Sequence, residues 1–84
     1  MNEIEWRRLR NITAREIVNA LIRDGFVFHN QRGSHQRYRH DDGRRVTVTF
    51  HRGGDTFPLG TLRSMIEGQA KWTEADLRRL SLLR

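Results

Sequence analysis

The sequence predicts an α+β fold of two layers, in which a three-stranded antiparallel sheet is covered by helices on one face. Two observations predict it. Three short strand-like segments lie in the middle of the 84-residue chain, the third with clear alternation of apolar and polar residues, and tight turn sequences join them. Segments with helical spacing of apolar residues lie on both sides of these strands. The expected order is α-β-β-β-α, followed by a short C-terminal helix, in a single domain over residues 1–84.

The charge of the chain indicates what kind of molecule it binds. The chain carries 16 basic and 10 acidic residues, for a net charge of +6. Every basic residue except Lys71 is arginine, which a GC-rich genome would also explain. The placement is less easily explained in that way, because six arginines and only two aspartates fall within residues 32–52. Arginine presents a planar fork of donors that suits phosphate, so a basic sheet indicates nucleic acid or an acidic protein as partner.

Several classes of protein are not expected. The chain has no cysteine, which excludes disulfides and thiolate metal sites. No apolar run approaches the ~20 residues that span a bilayer, and residues 1–6 do not resemble a signal peptide, so we expect a cytoplasmic protein. Asp41 and Asp42 fall in a turn, and the histidines lack the spacing of metal ligands. No metal and no cofactor are therefore expected.

The helices are predicted from capping residues and apolar spacing. Residues 1–12 are charged and are expected to form a loosely attached lead-in. Thr13 and Glu16 have the spacing of a capping box, which predicts a helix over residues 14–24 that ends at Gly25. The core of the domain is expected to span residues 13–72.

Two further helices are expected after the strands. The first should be capped by Thr61, and the second, within residues 73–84, should begin at a capping sequence that starts with Thr73. Their apolar faces comprise Leu62, Met65 and Ile66 in the first helix and Leu77, Leu80 and Leu83 in the second.

The strands are predicted over residues 26–31, 35–40 and 44–51, joined by three-residue turns at 32–34 and 41–43. Successive side chains of a strand point to opposite faces, so alternation decides which residues face the helices. The predicted core side comprises Phe26, Phe28, Tyr38, Val46, Val48 and Phe50.

The turn lengths also predict the register. His35 should lie opposite Thr49 on one side and opposite Gln31 on the other, while His29 lies opposite Arg37. His29 and His51 would then each be diagonal to His35, at a Cα distance of about 7–8 Å. The open face of the sheet would carry His29, His35, Arg37, Arg39, Arg45, Thr47, Thr49 and His51.

His35 is the best candidate for chemistry, since it follows a Gly-Ser turn and arginines flank it on the same face. A neutral imidazole can take the proton of a ribose 2′-hydroxyl, and arginines can stabilise the charge that develops on phosphate. The general acid stays open between His51, His29 and an arginine-bound water. His35 could instead only donate a hydrogen bond to phosphate. His40 falls on the core side near a turn and is interpreted as structural.

The triplet Gly33-Ser34-His35 resembles the signature of the HicA family of bacterial toxins, and the similarity extends in order over about residues 13–72. The resemblance implies a fold similar to double-stranded-RNA-binding domains, cleavage of mRNA that arrests translation and growth, and neutralisation by a HicB-type antitoxin. It assigns catalysis to His35. The RNA contacts that it implies are Arg32, Gly33, Ser34, Arg37, Arg39, Arg45 and His51.

Three functions therefore compete. The first is a metal-independent endoribonuclease toxin, monomeric alone or in a hetero-oligomer with its antitoxin. The second is a non-catalytic RNA-binding module of the same fold, which would bind RNA in a salt-dependent way and leave it intact. The third is a protein-interaction module whose basic face docks an acidic partner.

Overall fold

Helices precede and follow an antiparallel sheet with the strand order β1-β2-β3, which confirms the predicted fold class and element order. The structure is a computed structural model that describes residues 4–83. A 3-10 turn at Trp6–Leu9 comes first. The other elements are α1 (Ala14–Arg23), β1 (Val27–Arg32), β2 (His35–Arg39), β3 (Arg45–Thr49), α2 (Leu59–Arg63), a π-helical continuation of α2 (Ser64–Gln69), and α3 (Glu74–Arg79). No helix in this part of the chain has the length and apolar content that crossing a membrane requires.

Helix α1 begins and ends as the sequence predicts. The Thr13 hydroxyl accepts the N–H of Glu16, and the Glu16 carboxylate accepts the N–H of Thr13 at 2.9 Å, so the capping box is formed. At the other end Gly25 adopts a φ of +100°, the left-handed conformation that favours glycine. The chain turns there, and the N–H of Phe26 donates to the carbonyl oxygen of Leu21 at 2.9 Å.

The predicted start of the second helix is wrong. Helix α2 begins at Leu59, directly after Pro58, and no side chain caps it; Thr61 lies inside the helix. The fixed φ of proline suits the first turn of a helix, which explains this earlier start. The helix then widens into the π-helical segment, whose last residue, Gln69, accepts the N–H of Thr47 through its Oε1 at 2.9 Å.

One hydrophobic cluster holds the layers together. Tyr38, Val46 and Val48 project from the sheet toward the helices, and each is at most 4% exposed. Helix α1 contributes Ile17 and Leu21 to this cluster. The second helix and its continuation contribute the predicted Leu62, Met65 and Ile66, all of them buried. Within residues 4–83, the opposite face of the sheet has no such cover.

The expectation of a loosely attached lead-in is wrong. Leu9 is fully buried, and Ile4 and Ile12 are less than a tenth exposed. They belong to the same cluster as Leu77, Leu80 and Leu83 of the C-terminal segment, which are 0%, 2% and 4% exposed. Full burial of a leucine side chain contributes about 1.5–3 kcal/mol, so both terminal segments contribute substantially to the stability of the core.

Asp24 joins four parts of the chain at the end of α1. Its carboxylate accepts hydrogen bonds from Trp72 Nε1 at 2.8 Å, from Arg79 at 2.7 Å and from Arg44 at 3.2 Å. The side chain is only 7% exposed. Burial alone would raise the pKa of Asp24, but the hydrogen bonds from Trp72 and Arg79 and the charge of Arg44 together lower it.

Strand β1 departs from the prediction at its centre. Phe28 lies opposite Tyr38 as the predicted register requires, but the pairing then shifts by one residue, so that Asn30 lies opposite Arg37. The extra residue is His29, in a β-bulge. Phe28 is also 53% exposed rather than buried, and the buried sheet side chains come from β2 and β3.

Candidate functional site

The turn before His35 contains two residues, not the predicted three. Arg32 and His35 lie opposite each other, and Gly33 and Ser34 connect them. Gly33 adopts a φ of +56° whereas Ser34 does not, the pattern of a type II′ turn, in which glycine is favoured at the first central position. The side chain of Gln31 donates to the carbonyl oxygen of Gly33 at 2.8 Å. The turn is therefore held from both its backbone and a neighbouring side chain.

His35 is the first residue of the central strand β2, and its side chain is exposed. It lies opposite Thr49 of β3, which confirms the predicted register of the second hairpin. Its partner on β1 is Arg32, so the predicted pairing with Gln31 is wrong. Because opposite residues of an antiparallel pair face the same side, His35, Arg32 and Thr49 share the open face.

The open face is strongly basic. We call Arg32, Arg37, Arg39 and Arg45 the cationic face, since all four are exposed side chains at register positions that share one side of the sheet. Within residues 4–83, none of the four forms an ion pair with a carboxylate. Arginines that do form such pairs, among them Arg44, Arg63, Arg78 and Arg79, lie outside this face. The positive charge of the cationic face is thus left for an external anion.

A cavity of about 300 Å³ lies on this face. Its polar lining comprises Arg37, Arg39 and Arg45 together with His29, Asn30 and Thr47. Asn30 occupies the position that the predicted register gave to His29, directly opposite Arg37. The sequence of residues 26–31 contains no glycine or proline that would mark the bulge.

The bulge also removes His29 from the neighbourhood of His35. The His29 ring meets Arg39 instead, with Nδ1 3.4 Å from a guanidinium nitrogen. A guanidinium only donates hydrogen bonds, so the ring nitrogen accepts. The predicted diagonal position of His29 next to His35 is therefore wrong, and Asn30 takes that position across the strand pair.

His40 makes structural contacts, as interpreted from the sequence. Its Nε2 donates to the carbonyl oxygen of Asp24 at 2.9 Å, and its Nδ1 lies 3.1 Å from both the backbone nitrogen and the carboxylate of Asp42. The ring also packs edge-on against Phe26, with the centroids 5.1 Å apart. Both ring nitrogens of His40 are occupied by contacts that join the second turn to the end of α1.

His51 lies just beyond β3, in an exposed position, and not within the strand predicted over residues 44–51. Its backbone N–H donates to the Asp55 carboxylate at 2.9 Å, and the N–H of Arg52 donates to the same oxygen at 3.1 Å. Sequence reasoning did not single out Asp55. The available signal was an aspartate placed after a glycine pair, a residue type that often accepts backbone hydrogen bonds in turns.

No group of three or more His, Asp or Glu side chains that could hold a metal ion occurs among the described residues. The polar side chains at the register positions of the open face carry imidazole, guanidinium, hydroxyl and amide groups.

Comparison with known proteins gives one match. The model of a protein family described as the HicA toxin of bacterial toxin–antitoxin matches residues 14–72. A search of curated proteins found no match. The matched segment covers more than half of the chain and includes the Gly-Ser turn, the cationic face and His51. The lead-in and α3 lie outside it.

Proposed function

The chain belongs to the HicA toxin family of bacterial toxin–antitoxin systems, and we propose that it is a metal-independent endoribonuclease that cleaves mRNA and thereby arrests translation and growth. The observation that carries this proposal is the placement of His35, exposed at the start of the central strand beside four arginines that no carboxylate neutralises within residues 4–83. An imidazole next to an unneutralised basic surface suits the cleavage of RNA by its own ribose 2′-hydroxyl. The imidazole can remove the hydroxyl proton, and the basic groups can stabilise the charge on phosphate.

In the proposed reaction His35 is the general base. Its neutral imidazole removes the proton of a ribose 2′-hydroxyl, and the resulting oxygen attacks the neighbouring phosphorus. The cationic face holds the phosphates on either side, and its guanidinium groups stabilise the additional negative charge of the transition state. Arg32 and Arg37 are the arginines nearest to His35 by register: Arg32 lies opposite it, and Arg37 lies two residues further along β2.

The scaffold supports this role because His35 does not depend on a long loop for its position. Strand β2 is paired on both sides, and the turn before it is fixed by Gly33 and by the Gln31 side chain. Catalytic groups held by rigid elements need little reorganisation at the moment of reaction. Gly33 and Ser34 also bring exposed backbone close to the same site, where it can contact RNA.

The same surface suits neutralisation by a HicB-type antitoxin. A partner with an acidic face would meet the exposed arginines and the net charge of +6, and complementary charge speeds association and excludes RNA from the same place. We therefore propose a toxin that is monomeric alone and enters a hetero-oligomer with its antitoxin.

The test compares the purified parent chain with His35→Ala on an RNA substrate in the presence of EDTA. We expect the parent to cleave and the variant to lose about 10²–10⁴-fold in rate, the usual contribution of a general base. The products should end in a 2′,3′-cyclic phosphate with a 5′-hydroxyl on the other fragment. Equal rates for the two proteins would refute the role of His35, and 5′-phosphate ends would refute attack by the 2′-hydroxyl.

The alternative function, a non-catalytic RNA-binding module, rests on the same arginines. It predicts that RNA is bound but not cleaved. RNA would remain intact after long incubation, while its affinity for the chain would fall steeply between about 50 and 200 mM salt. Growth arrest on expression that disappears in a folded His35→Ala variant would favour the toxin.

A further inference from the structure

Cleavage by a 2′-hydroxyl needs a second proton-transfer group. When the bond between phosphorus and the 5′ oxygen breaks, that oxygen leaves as an alkoxide unless an acid protonates it. His35 cannot serve in the same step, because it is taking a proton from the 2′-hydroxyl. The chain has four histidines, so His29, His40 and His51 are the other imidazoles that could supply this proton.

The imidazoles of His40 and His29 form contacts with other residues. Both ring nitrogens of His40 are occupied, at 2.9 Å by the carbonyl oxygen of Asp24 and at 3.1 Å by the N–H of Asp42. His29 sits in the bulge of β1, where its Nδ1 lies 3.4 Å from Arg39. The contacts of both rings lie near the end of β2 opposite to the turn that carries His35.

His51 lies next to that turn. The pairing of β2 with β3 continues beyond Thr49, since the N–H of Phe50 donates to the carbonyl oxygen of Ser34 at 3.1 Å. His51 is the next residue, one position past this hydrogen bond, so it lies beside the Gly-Ser turn; continuation of the β2–β3 register would place it diagonal to His35. Diagonal residues of neighbouring strands are about 7–8 Å apart at Cα, which leaves room for a phosphodiester between two imidazole rings.

The loop that carries His51 forms several hydrogen bonds, both within itself and to the start of α1. Asp55 accepts the N–H groups of His51 and Arg52, and these hydrogen bonds, with the charges of the same two residues, hold the pKa of its carboxyl below the usual range. The loop is also joined to the start of α1. The N–H of Ala14 donates to the carbonyl oxygen of Asp55 at 2.8 Å, and the N–H of Arg15 donates to that of Gly53 at 2.9 Å.

The side chain of Arg15 also lies against this loop. A Cβ atom added at Gly53 would lie 2.7 Å from the guanidinium of Arg15, so the side chain is packed directly against the glycine. His51 is therefore held between a strand end and the first turn of a helix, as a group that must be positioned in advance requires.

We infer that His51 is the general acid of the cleavage reaction and that Asp55 is the residue that positions it. This inference rests on the proposed endoribonuclease activity. The neutral ring of His35 takes the 2′-hydroxyl proton, the 2′ oxygen forms a bond to phosphorus, and the bond to the 5′ oxygen breaks as the His51 imidazolium gives that oxygen its proton. The products are a 2′,3′-cyclic phosphate and a 5′-hydroxyl. The histidines finish with exchanged protonation states, which solvent restores.

The test uses two RNA substrates that differ in one atom. In the second substrate a bridging sulfur replaces the 5′ oxygen at the cleavage site, and a thiolate leaves readily without protonation. We expect His51→Ala and the larger, non-acidic His51→Gln to lose about 10²–10⁴-fold in rate on the ordinary substrate. Both variants should return to within about tenfold of the parent on the sulfur substrate. His35→Ala should be impaired on both substrates.

Asp55 is tested in the same assay. Asp55→Ala removes the acceptor for two backbone N–H groups and should lower the rate on the ordinary substrate but not on the sulfur substrate. Asp55→Asn keeps an acceptor oxygen and should retain most of the activity. A role of Asp55 in folding alone would lower both rates together.

Three outcomes would overturn the inference. If His51→Ala and His51→Gln are impaired equally on both substrates, His51 binds RNA but does not protonate the leaving group. If both variants cleave ordinary RNA at the rate of the parent, another group supplies the proton. A parent that cleaves neither substrate refutes the endoribonuclease proposal and the role of His51 with it.

Discussion

The ring of Phe28 meets the ring of Tyr38 edge-on, with their centroids 5.7 Å apart and their planes at 77°. This pair is the last in β1 that follows the register predicted from the sequence, and the bulge comes directly after it. The exposed Phe28 covers one side of Tyr38, the single aromatic residue of β2. Beyond the pair, every residue of β1 toward the turn is displaced by one position, and the composition of the open face changes accordingly.

The displacement of His29 leads to the first prediction. His29→Ala should keep RNA cleavage within about a factor of ten of the parent, equivalent to 1.4 kcal/mol, because the ring contacts Arg39 and lies away from His35. The measurement is the cleavage rate of the folded variant beside that of His35→Ala. A loss as large as that of His35→Ala would show that His29 reaches the reacting phosphate after all.

The cationic face should determine the salt dependence of RNA binding. A single substitution, Arg37→Gln or Arg45→Gln, should reduce the slope of log K against log salt by about 0.7 for single-stranded RNA, one phosphate contact fewer. Arg78→Gln is the matched control: it removes the same charge, but Arg78 is paired with Glu74 at 3.2 Å. The slopes are measured by binding titrations at several salt concentrations. All proteins in these titrations also carry the substitution His35→Ala, which prevents cleavage. Identical slopes for the three variants would contradict the proposal that RNA binds at the cationic face.

The turn should depend on the left-handed conformation of Gly33. Gly33→Ala places a Cβ at a φ of +56°, which costs roughly 1–2 kcal/mol even though no atom lies within 4 Å of the new group. Gly60→Ala, in α2 and also with open space, should instead raise stability by about 0.5–1 kcal/mol. Thermal or denaturant unfolding compares the two, and a change of the same sign in both would argue against strain at the turn.

The terminal segments should be needed for stability. Leu77→Ala removes a fully buried side chain outside the family match and should lower the free energy of unfolding by about 2–5 kcal/mol. Ile22→Ala is the control, since Ile22 is 56% exposed on α1 and its truncation should change stability by less than about 0.5 kcal/mol. Denaturant unfolding gives both values. Similar small losses would mean that α3 is attached but not part of the core.

The Asp24 carboxylate should contribute stability that acid removes. Asp24→Asn leaves Arg44 and Arg79 without their shared partner and should cost roughly 1–3 kcal/mol near neutral pH. Glu67→Gln, which breaks the exposed pair with Arg63, should cost no more than about 0.5 kcal/mol.

The pH dependence of the Asp24 contribution follows from the direction of its pKa shift. The pKa of Asp24 is lower in the folded chain, so the folded state binds fewer protons there than the unfolded chain does. The stability that Asp24 contributes is therefore complete above the unfolded pKa and is lost as the pH falls below about 4. The difference between the parent and Asp24→Asn should shrink over that range in unfolding experiments. A constant difference down to pH 2 would show that the charge of Asp24 has no part in it.

Local patterns predicted most of the fold. The capping boxes at Thr13 and Thr73 depend on residues three positions apart, and both are formed as expected. The second hairpin also has the predicted register, because its turn and the alternation of Val46 and Val48 agree. Capping boxes and the register of a short hairpin depend on residues that are close in sequence, so they can be predicted from the sequence.

What could not be predicted depends on contacts between distant residues. The bulge at His29 reconciles a two-residue turn at one end of the hairpin with the pair Phe28–Tyr38 at the other, and nothing within residues 26–31 indicates it. Leu9 is buried in the same cluster as the C-terminal leucines, which lie some seventy residues away in the chain. Within the site, the basic face and the position of His35 were predicted, whereas the anchoring of His51 by Asp55 was not.

The two outer strands of the sheet also bear on how copies of this chain meet one another. A straight outer strand offers free N–H and C=O groups to a second molecule, and such pairing leads to stacking and aggregation. On β3, Gln69 already occupies the N–H of Thr47. On β1, the extra residue at His29 breaks the regular ladder that an incoming strand would have to match. The sheet face can therefore stay uncovered for the proposed RNA substrate while both outer strands disfavour pairing with another copy of the chain.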